Sequence, residues 1–185
     1  MKVNTIEQVI AEWYDLKGYF IRRNIIRPNA PRRGQSDLDV VAFHPNTKHM
    51  IHIEGSTEVP NGGWAAVKAK MERKFPLDRA YLGTLYPNLP LEQLFVYYKP
   101  VPDEQLDGGI RVLAFPDLLS EIGTYLETHR LGEKKIPEAF PLLRVLHHAV
   151  QFWSASSTPP AGRRNLRRSP HTLRPGSSSS GSLVE

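Results

Sequence analysis

Apolar positions in the first 156 residues repeat with two different periods, and the switches between them mark out the elements. Ile6, Val9, Ile10, Trp13 and Leu16 share one face of a helix from about Thr5 to Lys17, with Asn4 as its N-cap, Glu7 at the capping-box position and Gly18 suited to end it. Tyr19-Phe20-Ile21 through Ile25-Ile26 predicts a strand that stops before Pro28. Leu38 to Phe43 and Met50 to Glu54 predict two more, joined by the turn residues His44-Pro45-Asn46, and the three together form an antiparallel meander. Asn61-Gly62-Gly63 breaks the chain before a helix from about Trp64 to Phe75, striped by Trp64, Val67, Met71 and Phe75. Strands at Leu94–Tyr98 and Ile110–Phe115 follow, then a helix from Asp117 to about Arg130 and an accessory helical pattern from Pro141 to Trp153. This order predicts a single mixed α/β domain.

Charge changes the picture mainly by its location. The chain of 185 residues has a net charge of +5, but residues 157–185 hold five arginines against Glu185 alone, which is +4, and leave +1 for residues 1–156. That Ser/Pro/Gly/Arg-rich end has almost no apolar periodicity and is expected to be a disordered basic tail. With no cysteine, disulfides, thiolate nucleophiles and cysteine-ligated metals are excluded, while oxygen-ligated metals stay open. No apolar run approaches the length of a membrane span and no signal-peptide pattern opens the chain, so a cytoplasmic protein is expected.

Three carboxylates stand out by position. Asp39 and Glu54 fall on adjacent strands of the meander among Leu38, Val40, Val41, Ile51 and Ile53, where a buried charge requires a partner. Glu7 lies in the first helical turn. Carboxylates converging on a sheet repel unless a cation neutralises them, and oxygen-only ligation suits Mg²⁺ or Mn²⁺. Each acid also has an ordinary role open to it: Glu7 in a capping box, Asp39 or Glu54 in an ion pair with a nearby arginine.

Taken together, these residues resemble the PD-(D/E)XK, or restriction-endonuclease-like, nuclease superfamily, over roughly residues 4–130. Glu7 through Tyr19 is similar to the family's first helix, with a glutamate some distance before a Gly-Tyr exit. Gly34-Gln35-Ser36-Asp37-Leu38-Asp39-Val40-Val41-Ala42 resembles the second-strand signature, and Ile51-His52-Ile53-Glu54-Gly55-Ser56 the third strand with its E-x-K element. The resemblance implies an αβββαβ core with a mixed sheet flanked by helices, here with a C-terminal accessory helix. It also implies metal ligation by Glu7, Asp39 and Glu54, support from Asp37, and hydrolysis of a phosphodiester, with DNA as the expected substrate. Restriction-enzyme-like and Holliday-junction-resolvase-like branches are the nearest in pattern.

The family's lysine would fall at position 56, which is Ser56. A migrated lysine on the following helix would restore the charge. A strand running on to about Glu58 travels roughly 13 Å past Glu54, and a helix returning from Gly62 or Gly63 covers that distance near position 71 or 72. Lys74, three residues beyond Met71 at the edge of the apolar stripe, is the first candidate and Lys68 the second. Loss of activity, leaving a nuclease-like module that binds DNA or protein, is the alternative. Arg22, Arg23, Arg27, Arg32 and Arg33 crowd the first strand and the loop after it and could track a phosphate backbone. His44, His49 and His52 match no zinc spacing and are expected to pack or face solvent, and His147-His148 cannot easily share a metal. A homodimer through Leu142, Leu143, Leu146, Val150 and Trp153 of the accessory helix is a third reading.

Overall fold

A computed structural model describes residues 4–28, 37–57, 62–100, 106–129 and 135–157, with side chains to 152. The basic tail and the loop bearing Arg32 and Arg33 lie outside the described residues. Helix α1 (Thr5–Leu16) starts where expected, because the Asn4 side chain accepts the Ile6 N–H at 3.1 Å. It ends at Gly18, whose φ of +89° is the left-handed turn that glycine accepts without strain. Strands β1 (Phe20–Ile26), β2 (Asp37–His44) and β3 (His49–Ser56) form the antiparallel meander. Helix α2 (Gly63–Leu85) crosses to β4 (Leu91–Tyr97), which runs parallel to β3, and β5 (Arg111–Ala114) extends the sheet in parallel. Helices α3 (Phe115–Glu127) and α4 (Pro141–Ser157) complete the chain. The result is an α/β fold whose five-stranded mixed sheet, ordered β1-β2-β3-β4-β5, is flanked by helices.

Strand alternation sorts the side chains into two faces. On one, Val40, Ala42, Ile51, Ile53, Leu94 and Val96 meet α1, α3 and α4 in a continuous apolar core. On the other, α2 covers two separate apolar clusters. Phe75, Met71, Phe95 and Tyr97 belong to the first, Leu38, Val41, Met50 and Leu82 to the second.

Two elements depart from the sequence reading. Helix α2 continues ten residues beyond Phe75, through Pro76. Its buried positions Val67, Met71, Phe75, Asp78 and Leu82 keep helical spacing across the proline, so burial of this stripe overrides the local cost of proline, and the Gln93 side chain adds a bond to the Phe75 carbonyl at 2.9 Å. Helix α4 spends its stripe inside the domain. Leu143 is fully buried and Leu142 and Leu146 pack on the same core, so these three of the five residues read as a dimer contact serve the domain interior. Buried Glu12 of α1 seats this helix by accepting the N–H groups of Leu142 and Leu143 at 2.9 and 3.0 Å. Among the described residues, no helix is long and apolar enough to cross a membrane.

Candidate active site

The β2–β3 ladder pairs Val40 with Ile53, and the next positions in register are Asp39 and Glu54. There the side chains take over the bonding. The Asp39 N–H donates to Glu54 Oε1 at 3.3 Å and the Gly55 N–H donates to Asp39 Oδ2 at 2.9 Å. Gly55 also lets α1 lie close on β3, since a Cβ at this residue would stand 3.2 Å from Ile6 Cγ2 and 3.6 Å from Glu7 Cγ. That close approach sets Glu7 where the charge of Asp39 reaches it, with its carboxylate held by the Asn4 amide, but the ligand atoms of Glu7, Asp39 and Glu54 do not gather within 4.8 Å of one another.

Helix α2 supplies a cation from the other side. The Lys74 ammonium donates to Glu54 Oε2 and, at 2.8 Å, to the Asp37 carbonyl oxygen, and its side chain is only 11% exposed. Lys74 thus lies against Glu54, two or three residues beyond the position 71 or 72 that the strand-and-helix arithmetic gives. Lys68 is turned elsewhere, 3.8 Å from Glu72. Asp37 contributes its carbonyl to Lys74, while its buried Oδ1 has no hydrogen-bond partner among the described residues.

Behind Glu54 a buried polar seam divides the two apolar clusters under α2. His52, two residues before Glu54 on the same strand face, lies 2.8 Å from Glu54 Oε1 through Nε2, and its ring packs on Phe75. Asp78 Oδ2 is 3.7 Å from the same nitrogen. On its far side Asp78 meets Arg27, whose Nε lies 2.8 Å from Oδ1 without the alignment of a hydrogen bond. One ligand atom each from His52, Glu54 and Asp78 falls within 4.8 Å of the others, so this buried group can hold a metal ion. Sequence reading missed both partners of Glu54 here. His52 was expected to pack or face solvent, yet its i, i+2 relation to Glu54 placed it on the acid's face; Asp78 occupies an apolar-stripe position of α2 beyond Phe75, where the sequence reading ends the helix.

Burial dominates the electrostatics. It pushes Asp39 up to about 7, with the charge of Glu54 adding to the effect and Lys74 opposing it. Burial likewise raises Glu54, against the pull of Lys74, and raises Glu7, with Asp39 as the next contributor. Asp78 rises to about 6 and His52 falls to about 4, both chiefly through burial, which leaves a neutral imidazole at neutral pH.

Among the arginines, Arg22 and Arg23 are exposed on the edge strand β1, and the Arg23 guanidinium donates to Gln8 of α1. Arg27 leaves that set because it turns inward to Asp78. His44 and His49 both pack on Tyr19 as expected, while His147 is buried and bonds the His129 carbonyl. Comparisons with protein-family models, curated proteins and solved structures find no match to this chain.

Proposed function

We propose that the chain is a metal-dependent phosphodiester hydrolase, a DNA endonuclease or resolvase-like enzyme built on a restriction-endonuclease-like core. The observation that carries this reading is Lys74, a nearly buried ammonium delivered by α2 onto Glu54 and the Asp37 carbonyl, beside Asp39. A lone buried ion pair would have no need of further acids. Here the charge of Glu54 adds to the raised proton affinity of Asp39, and the charge of Asp39 to that of Glu7.

The oxygen chemistry of these acids suits a hard divalent cation, although their ligand atoms stand farther apart than the 4.8 Å within which His52, Glu54 and Asp78 gather. Asp39 and Glu54 meet as neighbouring carboxyls at the end of a ladder, Glu7 approaches from α1, and all three offer oxygen. Asp39 and Glu54, with Glu7, would hold Mg²⁺ or Mn²⁺, which supplies Lewis acidity and lowers the pKa of water. The protein's own groups do the rest. Lys74 keeps a positive charge where phosphate oxygens gain negative charge, and Glu54 holds that ammonium in place. Arg22 and Arg23 lie on the exposed edge strand, where they would bind backbone phosphates.

A catalytically silent nuclease-like module that binds DNA or protein is the second reading. It draws on Ser56 and on the saturation of Glu54, which already accepts from Lys74, His52 and the Asp39 amide. Cleavage of labelled duplex and branched DNA in Mg²⁺ or Mn²⁺ decides between them. Lys74→Ala should cut the rate per folded molecule about 10²-fold or more, beyond the stability it loses by leaving Glu54 unpaired, and Lys68→Ala should leave the rate unchanged. DNA binding without any cleavage by the wild type would favour the silent module.

A further inference from the structure

The seam behind Glu54 contains a side chain whose orientation is fixed from both ends. Gln93 on β4 is wholly buried, and each end of its amide meets a partner with a single hydrogen-bonding role. The Phe75 carbonyl can only accept, and receives Gln93 Nε2 at 2.9 Å; Arg79 Nε can only donate, and reaches Gln93 Oε1 at 2.8 Å. The amide therefore cannot flip without breaking both bonds. Arg79 is itself held by the Gly108 carbonyl at 3.0 Å. The NH₂ group of Gln93 is thus the end that faces His52, 3.4 Å from Nδ1.

An N–H facing Nδ1 requires that nitrogen to carry the lone pair. In a neutral imidazole the proton then sits on Nε2, which points at Glu54 Oε1 at 2.8 Å. A clamped amide on β4 thereby sets the tautomer of a histidine on β3, and the histidine donates to the carboxylate that faces Lys74. The Asp39 amide donates to the same Oε1, so two fixed donors hold this oxygen and turn Oε2 outward to the ammonium.

We infer that His52 is a positioning residue, locked by Gln93, that orients the Glu54 carboxylate toward Lys74 and the cation of the hydrolase reading on which this role rests. The distances alone would equally allow His52 Nε2 to ligate a metal with Asp78. That arrangement needs the proton on Nδ1, opposite the NH₂ group of Gln93, and so conflicts with the amide's two anchors.

Imidazole ¹⁵N shifts of the full chain read the tautomer directly. A protonated Nε2 and a bare Nδ1 are expected for His52 at neutral pH; the opposite tautomer, or coordination of Nε2 by added Mn²⁺, would overturn the inference. The second arm compares variants matched for folded content. His52→Leu should weaken Mn²⁺ binding or kcat about 10-fold or more with KM for DNA little changed, whereas His52→Gln, which can place an N–H near the Nε2 position, should recover most of the loss. Equal losses in both variants would reduce His52 to packing, and no loss in either would remove its role. Should His52→Leu fail to fold, Gln93→Leu carries the same comparison, since it frees the tautomer without touching Glu54. A wild type that binds Mn²⁺ with the expected tautomer and rescue pattern, yet cleaves nothing, would sink the hydrolase reading and leave the positioning role standing.

Discussion

The two faces of the sheet bury their side chains on opposite principles. Against α1, α3 and α4 the core is one continuous hydrocarbon cluster, and its buried polar groups, Glu12 and His147, serve backbone groups at helix ends. Against α2 the core is cut in two by His52, Glu54, Asp78 and Gln93, which bond chiefly to one another and to Lys74, Arg27 and Arg79. Hydrocarbon of equal volume would pack the same space without desolvating charge, and is often the more stable choice. The α1 face reads as the part of the molecule that holds it together. The α2 face carries desolvated charge that hydrocarbon would avoid, and the proposed site rests on that arrangement.

The sharpest way to break this contrast is to excavate the apolar face. Ile122 of α3 is fully buried between the sheet and its neighbouring helices. Ile122→Ala should cost about 2–5 kcal/mol in urea unfolding, from lost burial and the cavity left behind. Metal affinity of the fraction that remains folded should not change. A loss of metal binding at full folding would show that the two faces are coupled.

Glu12 tests the buried acid on that side. Its carboxylate accepts two N–H groups of α4 and, through Oε1, the Gln8 amide at 2.8 Å. Glu12→Ala leaves those donors unpaired and should cost about 2 kcal/mol, whereas Glu12→Gln keeps an acceptor and should cost less. Hydrogen exchange in α4 should rise more than exchange in the sheet; equal protection throughout would mean the cap does not seat the helix.

How far the sequence reveals each face follows from the range of the interactions. The apolar face was legible because periodicity is local: α1 with its Asn4 cap, the meander and the parity that set Asp39 and Glu54 on adjacent strands could all be read. Lys74 was reachable because strand rise and helix rise are fixed lengths. Asp78 was hidden because it lies beyond Phe75, where the sequence reading ends the helix, on a stretch held across Pro76 by burial of the stripe. The Glu12–α4 bond spans 130 residues, and no local pattern encodes it. Arg27 looked like one of a basic run until the fold supplied its acid.

On the α2 face the expected sign reverses. Asp39 titrates near 7 rather than its ordinary 3.8, so between those values the folded chain keeps a proton that the unfolded chain has lost. That contribution favours the folded state at low pH and is lost as pH rises through 7. Asp39→Asn keeps an acceptor for the Gly55 N–H but carries no charge, so without metal it should be more stable than the wild type by about 1 kcal/mol or more at pH 8. The gain should grow from about pH 4 to 7 and then level off. Millimolar Mn²⁺ or Mg²⁺ should raise the melting temperature of the wild type and not of the variant. A pH-independent difference, or a wild type indifferent to both ions, would remove the strain assigned to this face.

The smallest effect belongs to a charge pair on the apolar side. Lys17 and Glu121 join α1 to α3 at 2.9 Å, with side chains 39% and 52% exposed, and the Lys17 ammonium also lies over the Trp13 ring at 4.6 Å. Its chemistry matches that of Lys74 and Glu54, but water and salt reach it. Solvent screening and the entropy of holding two long side chains offset most of the attraction, and the ring contact survives loss of the acid. Glu121→Gln should therefore change stability by no more than about 0.5 kcal/mol, and less in molar salt. Paired urea titrations at low and high salt check this. A cost comparable to the Glu12 change would mean that ion pairing also holds the α1 face, and the division between the two faces would fail.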